Sequence, residues 1–161
     1  MSQFFHGLSA LLGDNPVKFE NVRHIRLMRI GRWIIYLWAF PTTVWGLFLA
    51  GIIVLSGGTA HVKDGVLEVC GGATDFCLRR VVGLILRGGA SAMTLGHVVL
   101  ARDSDLLLVT RAHERIHVRQ CERWGPLFIP AYVVASLWAW MTGRRPYKDN
   151  FFERQAFHLA G

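Results

Sequence analysis

The chain has 161 residues, 52% of them hydrophobic, and a formal net charge of +7. That length allows one modest domain with a core, or a smaller domain joined to membrane segments, and a mean hydropathy of +0.33 favours the second. Much of the basic charge flanks the apolar stretches (Lys18, Arg23, Arg26, Arg29 and Arg32 before the first, Arg144, Arg145 and Lys148 after the second), which suits anionic lipid headgroups and argues against a nucleic-acid partner.

Residues 1–32 read as a basic amphipathic N-terminal segment. They lack the apolar core and small-residue cleavage site of a signal peptide, and 18–32 interleave Phe19, Val22, Ile25 and Met28 with arginines, as a surface-lying helix does. Residues 33–56 follow as a transmembrane segment. Its 33–55 stretch carries no charged side chain. Twenty-three helical residues reach about 34 Å, enough for a bilayer core of about 30 Å. Pro41 and Gly46 leave open a helical hairpin that returns to the same side.

Residues 57–161 form the remaining domain. Residues 60–63 and 66–69 alternate around Asp64-Gly65, the signature of a tight β-hairpin. A helix is predicted over 75–86, closed by Gly88-Gly89, and a strand over 92–101. Asp103 or Ser104 caps a helix of about 105–123, stopped by Gly125-Pro126. The uncharged 125–142 stretch holds Pro126 and Pro130, so its unbroken helix is about 12–15 residues, short for a span. It is expected to associate with the membrane without crossing. Asp149, or else Asn150, caps a last helix over 151–159. The fold class is α+β: one N-terminal transmembrane helix or hairpin, a small β-sheet, and the 105–123 helix packed with a C-terminal helix. Three cysteines, Cys70, Cys77 and Cys121, give no disulfide framework or metal spacing.

Residues 113–117 read His-Glu-Arg-Ile-His. Positions i and i+4 share one helix face, so His113 and His117 can converge on a metal ion while Glu114 reaches a water beside it. Neutral imidazoles suit zinc, and a carboxylate next to the site suits a general base for amide hydrolysis. Arg111, Arg115 and Arg119 mark a solvated face of this helix. A third ligand is required. The acids beyond His117 are Glu122, Asp149 and Glu153. Glu122 is about 7.5 Å further up the same helix axis and rotated away, which leaves Glu153 on the last helix as the best candidate. His158, His97 and His61 are weaker ones, and Cys121 reads as packing.

His113-Glu114-Arg115-Ile116-His117 followed by Glu153-Arg154-Gln155-Ala156 resembles the gluzincin pattern of zinc peptidases, in the style of the membrane-attached HtpX/Ste24-like and BlaR-like enzymes. The match spans about residues 90–160. It implies a zincin-like helix pair, one zinc ion on His113, His117 and Glu153, Glu114 as general base, and a peptide or protein substrate lying along residues 93–100. Phe157 stands where those families often carry Asp, and their larger surrounding domain is missing. The expected setting is a membrane, the bacterial inner (plasma) membrane, with the bilayer itself as a partner. The side of the zinc site stays open, because the two basic flanks point opposite ways. Tyr147, His97 or an arginine could steady a developing oxyanion. The alternative is a non-catalytic zinc-binding membrane protein acting as an interaction module. Bis-histidine haem ligation is a disfavoured third reading, since two histidines on one helix face cannot reach opposite faces of a haem.

Overall fold

A computed structural model describes residues 17–84 and 89–161, with side chains from residue 33 onward except 81 and 84. The readings of residues 1–16 and of Gly88, and the amphipathic pattern of the 18–32 side chains, lie outside it. The chain divides at Ile34/Ile35, and the unit Ile35–Gly161 holds everything below except the start of the first helix.

Helix α1 runs Val17–Leu55, with Pro41 inside it. Residues 35–55 stay helical throughout, so the hairpin alternative is not formed. A four-stranded sheet follows in the order β1-β2-β4-β3: β1 Thr59–Lys63, β2 Val66–Cys70, β3 Ala92–Leu95 and β4 Val98–Ala101. β1 and β2 pair antiparallel around Asp64 and Gly65, at φ 50° and 78°. Two successive positive φ values are what a type I′ hairpin turn needs and what Asp-Gly supplies. β2 pairs parallel with β4, and β4 antiparallel with β3.

One prediction needs correction here, and one needs sharpening. Residues 92–101 are not one strand. Gly96 at φ 62° turns the chain, and β3 and β4 fold on each other with Leu95 opposite Val98. Glycine in the first place of a two-residue loop supplies this bend. Of this stretch, β3 lies on a sheet edge and β4 in the interior. The helix predicted over 75–86 is helical over residues 74–84, but of three kinds: a short α turn, α2 (Thr74–Phe76), a π-helical turn over Cys77–Val81 and a 3₁₀ turn over Val82–Leu84; residues 85–86 lie outside the described residues.

Helix α3 (Ser104–Trp124) begins where Asp103 accepts a hydrogen bond from the Leu106 amide at 2.8 Å and ends at Gly125, φ 55°. A side chain at Gly125 would strike the Trp38 indole. A 3₁₀ turn (Gly125–Leu127) leads into α4 (Phe128–Met141), 14 residues or about 21 Å long. Helix α5 (Phe151–Ala160) is capped by Asn150, which accepts from the Phe152 amide at 2.8 Å. Asp149 is not the cap. Its carboxylate pairs with Arg145, while the Asn150 amide donates to the Tyr132 carbonyl and to Ser136 Oγ, so α5 is pinned to α4 at its first residue.

The sheet is covered on both faces. Val98, Leu100 and Val69 face α1 with Ala50 and Ile53, and Val99, Ala101, Val66 and Cys70 face α3 with Leu107 and Val118. Side chains alternate along a strand, so β4 is buried on both sides and reads as a continuous apolar run. Each fully buried Val or Leu contributes roughly 1.5–3 kcal/mol relative to exposure. The contact face of α1 is built of small residues: Ala39, Thr42 and Ala50 are buried, and a Cβ on Gly46 would come within 2.8 Å of the Leu95 carbonyl oxygen. Its remaining surface exposes Leu37, Phe40, Trp45, Phe48 and Leu55. Two helical stretches, Trp33–Leu55 and Ser104–Met141, are long and apolar enough to cross a membrane. Cys70, Cys77 and Cys121 are free thiols.

Candidate metal centre

The cap at Asp103 fixes where α3 begins, and so which residues face α5. His113 and His117 fall on that face. Their Nε2 atoms lie 3.0 Å apart. From α5, Glu153 brings Oε2 to 3.1 Å from His113 Nε2 and Oε1 to 3.2 Å from His117 Nε2. Tetrahedral zinc with bonds near 2.0–2.1 Å would set such ligands about 3.3 Å apart. The three residues can hold a metal ion, though the arrangement alone does not specify zinc. Burial is high: the side chains of His117 and Glu153 are 8% and 3% exposed. Glu153 Oε2 makes no hydrogen bond despite its closeness to His113, so a buried carboxylate oxygen is left with an open acceptor position. Unpaired buried acceptors are costly, and a cation is the natural partner. The donor set therefore fits a divalent metal.

The two histidines are supported differently. Gln120 donates through Nε2 to the Phe152 carbonyl and to Gln155 Oε1, so its Oε1 is free to accept from His117 Nδ1–H at 2.8 Å. That bond leaves Nε2 as the ligating nitrogen in the neutral ring. His113 Nδ1 is buried without a partner, and the His113 ring lies against Phe157 at 4.6 Å between centroids. The residue that departs from the gluzincin pattern thus packs on the ring with the unsupported nitrogen.

Charge in the cluster is divided as an ion pair. Burial opposes ionisation of Glu153, but the two imidazoles of His113 and His117 beside it outweigh that and hold the carboxyl at about 2. Burial opposes protonation of His117, and Glu153 outweighs that in turn, so its pKa lies above the ordinary 6.5. Glu114 is turned toward the sheet. Thr94 of β3 donates to its Oε2 at 2.6 Å, and burial pushes its carboxyl pKa above the usual carboxylate range. Tyr132 of α4 donates to Glu153 Oε1 at 2.7 Å.

The structure brings His113, His117, Glu114 and Glu153 together and leaves the other candidates elsewhere. His97 packs its ring on Tyr36 and meets Glu122 at 3.2 Å. Cys121 is fully buried with Phe128 and Phe152, and burial raises its thiol to about 12. Arg111 and Arg115 are not on a solvated face. Both reach Glu68 of β2 at 2.9 Å, and Arg119 alone of the three is exposed. Among the proposed oxyanion donors, Tyr147 lines the cavities beside Glu114, and burial with the nearby Glu153 carboxylate keeps its phenol protonated. Thr94, Gln120 and Tyr132 were not anticipated. Gln120, one turn past His117 on the same face, had a positional signal; the other two had none.

The sequence matches no protein-family model, and no curated protein or solved structure matches it.

Proposed function

We propose that this chain is a membrane-bound, zinc-dependent peptidase, with His113, His117 and Glu153 as a zincin-like ligand set and Glu114 as general base. The observation that carries the reading is the convergence of two imidazole nitrogens and one carboxylate within 4.8 Å of one another, with a second buried carboxylate on the next residue of the helix. A bound zinc ion supplies a Lewis acid that makes water acidic near neutral pH and polarises a carbonyl oxygen. Glu114, with a raised pKa, is suited to take a proton from the attacking water and pass it to the leaving amine. The amide carbon–nitrogen bond breaks, the water oxygen joins the carbonyl carbon, and the new ends are a carboxyl and an amine. Tyr147, as a protonated phenol at the cavity wall, is the donor best placed to steady the developing oxyanion.

A peptide substrate is favoured by β3. It is an edge strand whose Thr94 holds Glu114, and an extended polypeptide can add to such an edge. The apolar surface of α1 and the exposed Val133, Val134, Leu137 and Trp138 of α4 support a bilayer setting in which α1 spans and α4 lies at the interface. The bacterial inner membrane is the setting that the gluzincin resemblance carries. The test is zinc content and peptide hydrolysis of detergent-purified wild type beside Glu114→Gln. One zinc per chain in both, with turnover about 10²–10⁴-fold lower in the variant, is expected. Zinc in both with equal function in Glu114→Gln would instead establish a structural ion that clamps α3 to α5.

A further inference from the structure

Glu153 presents both carboxylate oxygens to the candidate metal centre, Oε2 at 3.1 Å from His113 Nε2 and Oε1 at 3.2 Å from His117 Nε2. By distance alone either oxygen, or both together, could bind an ion there. They differ in what else they hold. Oε1 accepts the Tyr132 hydroxyl at 2.7 Å, whereas Oε2 has no hydrogen-bond partner. A phenol has one proton to donate, and Tyr132 gives it to this one oxygen.

Helix α4 fixes that hydroxyl from two sides. Its outer face exposes Val133, Val134, Leu137 and Trp138, and Tyr132 turns the other way. The Tyr132 ring stacks on Phe152 of α5 at 6.2 Å between centroids and meets Phe128 edge-on at 6.0 Å. Behind the ring, Asn150 Nδ2 donates to the Tyr132 carbonyl at 3.1 Å and to Ser136 Oγ at 2.7 Å. Asn150 caps the helix that carries Glu153 one turn later, so the hydroxyl and the carboxylate belong to one braced unit.

We propose that Tyr132 is a positioning residue that withholds Glu153 Oε1 from the metal, so that Glu153 binds through Oε2 alone. Hydrogen-bond partners of ligating side chains orient them in this way. The consequence is an open place at the ion. A metal used in catalysis has three protein ligands and a fourth position for water. A carboxylate bound through both oxygens would occupy that position, and one held at Oε1 leaves it free. This inference rests on the metal reading of His113, His117 and Glu153, and not on peptide hydrolysis.

The experiment loads cobalt(II) alone into the full chain in detergent and reads the visible absorption per bound ion, which is strong for a four-coordinate ion and weaker for a five-coordinate one. Tyr132→Phe keeps the ring that packs on Phe128 and Phe152 and removes the hydroxyl alone. Ser136→Ala removes one bond between α4 and α5 without touching Glu153. Expected is the same strong absorption in wild type and Ser136→Ala, and a weaker one in Tyr132→Phe at unchanged cobalt per chain, because both oxygens can then bind. Identical spectra in wild type and Tyr132→Phe, or cobalt lost from Tyr132→Phe, would overturn the inference and leave the metal site standing. The same change in Ser136→Ala would also overturn it, by assigning the effect to helix packing. A wild type that takes up no cobalt would overturn both the inference and the metal reading.

Discussion

On one flank of α3, Arg111 and Arg115 reach Glu68; on the other, His113 and His117 reach Glu153. Both carboxylates are buried, at 1% and 3% exposure, and both are met by two basic side chains from successive turns. The difference lies in what remains open. Glu68 accepts from Arg111 Nε and from a terminal nitrogen of each arginine, at 2.9–3.1 Å, so both of its oxygens are filled by permanent cations. Glu153 faces two imidazoles that are cationic only when protonated, and its Oε2 is unfilled. Arginine closes a buried carboxylate; histidine leaves it exchangeable, because a metal ion can replace the protons. One helix thus carries a strut on one side and a candidate binding site on the other.

The contrast breaks most sharply at Glu153. In Glu153→Ala the two histidines lose their counter-ion and the third ligand, and stoichiometric zinc is expected to be lost, with hydrolysis going with it. Metal analysis after desalting checks this, and full retention of zinc would place the third ligand elsewhere. The matching break on the other flank should act on stability alone. Arg111→Ala with Arg115→Ala leaves Glu68 buried and unpaired, a loss of roughly 3–5 kcal/mol. Denaturant unfolding should show it, while zinc per folded chain stays at the wild-type value. Replacing the whole trio with Glu68→Met, Arg111→Leu and Arg115→Leu should recover most of that loss, since an apolar substitute of similar volume removes the desolvation penalty together with the attraction.

A smaller effect separates the two histidines. Gln120→Ala removes the acceptor that fixes the His117 ring and cuts the link to Phe152 and Gln155. Loss of such a support typically weakens metal binding about 10–100-fold, measurable by chelator competition. An unchanged affinity would show that α3–α5 packing alone orients the ring.

These supports mark the limit of what the sequence discloses. The spacing of His113 and His117 is local, and so are the Asp64-Gly65 turn, the Asp103 cap and the Gly125 stop; each acts within a few residues and was legible. Glu153 could be reached by elimination, because few acids follow His117. Glu68 could not be paired with Arg111 and Arg115 in advance. It lies 43 residues from Arg111, and only the parallel pairing of β2 with β4 turns its side chain toward α3. Without that partner, arginines on a helix read as solvated. Gly96-His97 was misread for a related reason: Leu95 and Val98 are strand formers on both sides of the turn, and one glycine carries the whole signal. Asn150 replaced Asp149 as cap because its amide also donates to α4, which a carboxylate cannot do.

Acid should separate the two flanks in order. Burial raises and the two arginines lower the Glu68 pKa, and the net shift is downward from 4.5. The unfolded chain therefore binds more protons than the folded one in this range, and stability rises with pH. The contribution of Glu68 is fully present above about 4.5 and disappears as pH falls through its depressed folded value. His117 moves the other way, above 6.5, so protons begin to compete with a metal there well before Glu68 titrates. On acidification zinc is expected to leave first, as protons take the ligand positions, and the fold to weaken later, below pH 4.5. Zinc release followed by a chromogenic chelator, beside circular dichroism on the same samples, gives the two midpoints. In the Glu68→Met, Arg111→Leu, Arg115→Leu variant the release midpoint should stay and the unfolding midpoint should move to lower pH, because the carboxylate whose protonation undid the strut is gone. Coincident midpoints in the wild type would mean that the metal cluster holds the fold together and that the two flanks of α3 are not independent.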